Sequence, residues 1–167
     1  MRSSTSWWGS KVRQARAHVT ARVAPAERAE VAAWLSPAEL DLFDAMPVAD
    51  RRHGLDVVAR LRSYGSRDPD LLVAGLLHDC GKGPQTRLRH RVGWSLGERH
   101  GTWVHRSLGT IPGFGAGLER MRTHAERSAE LMAAAGASDR AVDLVRHQAD
   151  PADPILGGLL LAADEAC

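Results

Sequence analysis

What the chain has little of narrows the field first. Cysteine occurs only at Cys80 and Cys167. Two cysteines so far apart, without zinc-finger spacing, exclude a disulfide scaffold and a structural zinc module and suit a reducing compartment. Long apolar runs are missing as well. The longest uncharged one, Ile155 to Ala163, has nine residues including two glycines, whereas a membrane-spanning helix needs about 20. The N-terminus "MRSSTSWWGSKVRQARAHV" lacks the apolar stretch and small-residue cleavage site of a secretory leader, so the cytoplasm is the expected location. No apolar/polar alternation extends beyond a few residues, which argues against sheet. There is no internal repeat and no low-complexity tract. Lysine is scarce: Lys11 and Lys82 stand alone among the arginines.

What is present reads as helix. At 167 residues, 44% hydrophobic and 25% charged, the chain has room for one globular core. Val31, Ala32 and Leu35 share helical spacing over Ala26 to Leu35. Ser36, Pro37 and Glu39 form a capping box that opens a helix through Leu40, Phe43 and Met46, ended by Pro47. A helix from about Asp50 to Tyr64 stops at Gly65, and Asp68 with Pro69 starts another that reaches His78. A loop rich in Gly and Arg is expected over about 80–115. Helices over Leu118 to Ala135 and, capped by Ser138, over Asp139 to Gln148 follow, and Asp153 with Pro154 opens the last. The expectation is an all-α, compact helical bundle over 25–167, preceded by a basic arm or helix over 1–24. In that arm Trp7 and Trp8 neighbour Lys11, Arg13, Arg16 and Arg22. Such a stretch suits either a packed helix or an amphipathic segment that touches a membrane, a partner or nucleic acid.

Net charge is only +2, but from Lys82 to Arg106 six cations (Lys82, Arg87, Arg89, Arg91, Arg99, Arg106) face one anion, Glu98, a local balance of +5. Such a segment is either a solvated basic loop or a phosphate attractor. Its neighbours decide which. The apolar helix of "LLVAGLLHDCGKG" ends on His78 and Asp79, His78 sharing a face with Leu71 and Ala74. His53 shares a face with Val57 and Leu61, His124 with Met121 and Leu131, His147 with Leu144, and Asp164 with Leu160 and Leu161. Any one of these alone is an ordinary core residue. Six together are not, because burying an unpaired carboxylate is costly and four imidazoles find too few backbone partners in a small bundle. A metal ion would serve them all. Imidazole with carboxylate suits Fe, Mn, Co, Ni or Zn better than Mg or Ca, and Asp79 has two oxygens with which to bridge two ions.

The order His53 in "DRRHGLDVVARL", His78-Asp79 followed by Gly81-Lys82, then His124, His147, and Asp164 in "LLLAADEA" resembles the HD-domain superfamily of metal-dependent phosphohydrolases. The resemblance covers about Asp50 to Cys167. It implies one metal on His53, His78, Asp79 and Asp164, and a second on Asp79, His124 and His147, with Fe or Mn first and Co, Ni or Zn open. It also implies Asp79 and Lys82 as catalytic residues, Lys82 binding a phosphate oxygen. Beside it, Arg87, Arg89 and Arg91 are candidates for substrate-phosphate contacts. The short step from His147 to Asp164 resembles the enzymes that split diadenosine tetraphosphate more than the cyclic-di-GMP phosphodiesterases, whose second adjacent histidine and GYP signature are missing. Mononuclear 5'-nucleotidases of the superfamily need only the first four ligands. The resemblance thus implies hydrolysis of a nucleotide or dinucleotide phosphate ester or anhydride. A di-iron oxygenase and a noncatalytic nucleotide-sensing domain are the alternatives. Nothing in the sequence requires nucleic acid as a partner.

Overall fold

The computed structural model describes residues 20–86 and 88–167; Trp7, Trp8 and the other arm positions before Thr20, and the phosphate candidate Arg87, lie outside them. Among the described residues there are nine α-helices and no strand: α1 Pro25–Ala32, α2 Pro37–Ala45, α3 Val48–Ser63, α4 Pro69–Leu77, α5 Leu88–His100, α6 Thr102–Gly109, α7 Gly115–Ala134, α8 Asp139–Arg146 and α9 Leu156–Ala166. A 3-10 turn, Cys80–Lys82, follows α4. The all-α bundle expected from the caps is the one observed.

The caps work as their chemistry predicts. Ser36 Oγ accepts from the Glu39 N–H while the Glu39 carboxylate accepts from the Ser36 N–H at 2.8 Å, a reciprocal box. Asp68 accepts from the Leu71 N–H at 3.0 Å and Ser138 from the Ala141 N–H at 3.1 Å. Asp153 accepts from the N–H groups of Ile155 and Leu156, so the last helix begins slightly later than Pro154.

The core is built where α3, α4, α8 and α9 meet, with α7 packed across the 3-10 turn and along α8. Phe43, Leu61, Leu71, Leu76, Leu77, Met132, Val145 and Leu160 are fully buried in it. Each such side chain is worth about 1.5–3 kcal/mol on burial, so these contacts, rather than helix propensity, hold the helices at fixed mutual positions.

One expectation is corrected. The Gly/Arg-rich stretch expected as a loop to about Gly115 instead forms α5 and α6, a helical hairpin. Its glycines are packing devices rather than loop signals. A Cβ on Gly97 would fall 1.9 Å from His105 Nε2, so only glycine lets α6 press against α5, where the His105 ring stacks on Trp94 at 4.5 Å between centroids.

Candidate metal centre

The chain brings its polar pair to the middle of the bundle by ending α4 there. His78 is the C-cap of α4 and Asp79 the residue that leads into the 3-10 turn; each is 1% exposed. Two glycines set the neighbouring elements close enough to share the site. A Cβ on Gly54 would lie 2.3 Å from the Leu76 carbonyl oxygen, so α3 can bring His53 against the end of α4 only without one. A Cβ on Gly81 would lie 2.5 Å from the Ser128 nitrogen and 2.6 Å from the His124 carbonyl oxygen. The turn therefore rests directly on α7, where Ser128 Oγ accepts from the Gly81 N–H at 2.9 Å.

Four expected ligands converge. His53, His78 and Asp79 each offer a ligand atom, all within 4.8 Å of one another. Asp164, from α9, places Oδ1 at 2.7 Å from His53 Nε2 and 3.5 Å from His78 Nε2. The two central atoms lack hydrogen bonds: His78 Nε2 and Asp79 Oδ1 are buried, 3.5 Å apart, and neither makes one. Leaving buried polar atoms unsatisfied costs about 1–3 kcal/mol each, more when charged. A bound cation would remove that cost for both.

Tautomers fit the same role. His78 Nδ1–H donates to the Gly75 carbonyl at 3.0 Å and His124 Nδ1–H to the Met121 carbonyl at 2.7 Å. Both rings thus present Nε2 toward Asp79, as metal-binding histidines fixed by a backbone partner do. His124 Nε2 stands 3.6 Å from Asp79 Oδ1. Lys82 Nζ donates to the other oxygen, Asp79 Oδ2, at 2.5 Å.

The electrostatics follow from this crowding. Burial works against protonation of His78, but the carboxylates of Asp79 and Asp164 outweigh it and raise its pKa to about 9. Burial likewise works against the Asp79 carboxylate, yet His78 and Lys82 hold its pKa well below the ordinary carboxylate range. Asp164 is also lowered, its burial outweighed by the hydrogen bond to His53 and by the neighbouring His78. His124 moves the other way: burial, then the charge of Lys82, lowers its pKa, which favours the neutral ring a metal needs. Burial raises the Cys80 thiol to about 11, leaving it protonated and inert beside the site.

Other expected residues are placed differently. His147 does not join the cluster; it caps α8, with Nδ1 donating to the Asp143 carbonyl at 3.1 Å and lying 3.2 Å from the Asp143 carboxylate. Arg91 pairs with the buried Asp50 at 2.5 Å, which ties α5 to α3, and Arg89 is an exposed side chain whose Nε donates to His90. Asp50 and Arg120 were not picked out from the sequence. The available signal was spacing: Asp50 lies three residues before His53 and Arg120 four before His124, on the same helical faces. Gln148, another unassigned polar residue, donates to the His78 carbonyl at 3.4 Å.

No protein-family model, curated protein or solved structure matches the chain.

Proposed function

We propose that the protein is a metal-dependent phosphohydrolase of the HD type, acting on a phosphate ester or anhydride of a nucleotide or dinucleotide. The observation that carries the reading is a pair of buried ligand atoms without hydrogen bonds, His78 Nε2 and Asp79 Oδ1, among His53, His78, Asp79 and Asp164, with a lysine at the edge. A donor set of imidazole and carboxylate fits a divalent transition ion, Fe or Mn first. When bound, such an ion lowers the pKa of coordinated water from about 15.7 toward 7 and polarises a phosphoryl oxygen.

The chain's own residues then divide the work. His53, His78, Asp79 and Asp164 would hold the ion, and the Gly75 carbonyl keeps the His78 ring in register for it. Lys82, carrying its charge at the rim of the buried carboxylate, binds a nonbridging phosphate oxygen and offsets the negative charge that builds during displacement. His124 presents Nε2 to the same Asp79 oxygen that faces His78 and is placed to exchange a proton with the reacting group.

A one-ion centre is the better supported count. Asp79 Oδ2, the oxygen a bridge would need, is already bonded to Lys82, and among the described residues no ion pair or hydrogen bond links His147 to the other ligands. The test is a phosphate-release screen over nucleoside mono-, di- and triphosphates and dinucleotides, using protein loaded with Mn or Fe and the Asp79→Ala variant as control. Release that needs both the metal and Asp79 supports the reading. Dioxygen consumption without phosphate release supports an oxygenase instead.

A further inference from the structure

Arg120, His124 and Ser128 follow one another at four-residue intervals on α7 and form a single row along it. Each meets a different part of the segment that carries Asp79. Ser128 holds the Gly81 N–H at 2.9 Å, His124 faces Asp79 at 3.6 Å, and Arg120 reaches the residues just beyond Lys82. Its Nε donates to Thr86 Oγ1 and its Nη2 to the Gln85 carbonyl, both at 3.4 Å. Thr86 in turn donates to the Lys82 carbonyl at 2.6 Å. Lys82 and Arg120 thus bracket one short turn at the edge of the metal centre.

Charge distinguishes Arg120 from the rest. Four of the described arginines are half-buried: Arg51, Arg52, Arg91 and Arg120. The first three have carboxylate partners, Asp44, Glu27 and Asp50. Arg120 has none among the described residues. Both of its contacts are to neutral oxygens at the outer limit of hydrogen-bond distance. Partial burial of a guanidinium without a counter-charge is unfavourable, and most of its five donors stay open.

We propose that Arg120 is a specificity-determining residue that binds a second phosphoryl group linked to the one held at Lys82. The site then selects anions with two or more joined phosphoryl groups over monophosphates. This rests on the phosphohydrolase reading and names its substrate class. The guanidinium fork matches phosphate oxygens bidentately, and four residues, about 6 Å of helix rise, separate the Arg120 and His124 positions along α7. If Arg120 only braced the turn, its loss would weaken all anions alike.

The experiment is calorimetric titration of the manganese-loaded full-length protein with methylenediphosphonate and with methylphosphonate, nonhydrolysable probes carrying two phosphoryl units or one. Metal content is measured on the same samples. The wild type is expected to prefer the diphosphonate by about tenfold or more, the worth of one charge-assisted contact. Arg120→Gln should lose about that factor on the diphosphonate and change by less than about twofold on methylphosphonate. Arg120→Lys, which keeps the charge and loses the fork, should fall between and carries the comparison if the glutamine variant does not fold. Equal losses on both probes, an unchanged diphosphonate affinity, or a wild type without preference would overturn the proposal. The expected preference in a protein that releases phosphate from no nucleotide would support the anion site and overturn the hydrolase reading.

Discussion

His78 Nε2 and Asp79 Oδ1 stand 3.5 Å apart in the interior, and neither has a hydrogen-bond partner. Two adjacent residues at the end of an apolar helix thus leave two ligand atoms facing each other, and the rest of the site is arranged around them.

The first consequence is a pH dependence of the metal-free protein. His78 has its pKa raised to about 9 from an ordinary 6.5, so the folded state binds this proton more tightly than the unfolded chain. Its contribution to stability is complete below the unfolded value and is lost as pH rises through about 9. Asp164, shifted downward, acts in the opposite sense, contributing above the ordinary carboxylate range and losing its contribution as pH falls. Thermal unfolding of metal-free protein should therefore show Tm falling between pH 6.5 and 9, and His78→Gln should flatten that fall. Metal must displace the same proton, so its affinity should rise across this window. A Tm independent of pH there would contradict the assignment.

Close approach at Gly81 carries the second prediction. An alanine Cβ would meet backbone of Ser128 and His124 on α7, which cannot swing aside as a flexible side chain does. Gly81→Ala should cost about 1–3 kcal/mol, the range for overpacking, and weaken metal binding because Asp79 moves with the turn. Gly136→Ala, where a Cβ would meet nothing but φ is +80°, should lower stability without changing metal affinity. Chemical denaturation and metal titration of both variants separate the two effects.

Much of this was legible in the sequence because it rests on local chemistry. Ser36, Asp68 and Ser138 announced their helix starts, and the inward faces of His53, His78, Asp79 and Asp164 followed from helical period. The α5–α6 hairpin was not legible, since Gly93, Gly97 and Gly101 mimic a loop when nothing shows what packs on them. The roles of Asp50, Arg91 and Arg120 depend on which elements meet, a long-range fact that spacing within one helix does not contain. His147 shares the face of Leu144, yet it caps α8 and turns to Asp143, a competition between local and long-range partners decided by geometry.

His147→Ala should leave the metal content of the loaded protein at one ion per chain, with affinity changed by less than about twofold. Inductively coupled plasma analysis after gel filtration reads this directly. A fall in stoichiometry from two ions to one would restore the two-ion centre.

Arg91 should matter for folding rather than for phosphate. Removing it leaves the Asp50 carboxylate, 1% exposed, buried without its cation, a change worth about 3–5 kcal/mol. Arg91→Ala should lower Tm strongly, and the charge-exchanged pair Asp50→Arg with Arg91→Asp should recover part of the loss. Recovery of stability together with unaltered phosphate-probe affinity would fix its role as structural; loss of probe affinity in the stable exchanged pair would give it a place at the substrate.

Metal content of Asp79→Ala against wild type, both loaded with Mn or Fe and freed of excess, is the most direct measurement. Asp79 supplies the buried charge at the centre of the cluster, so the wild type should hold one transition ion per chain and the variant close to none, with the metal-dependent rise in Tm lost as well. An Asp79→Ala protein that folds and keeps a full complement of metal would show that the ion lies elsewhere and would contradict the account.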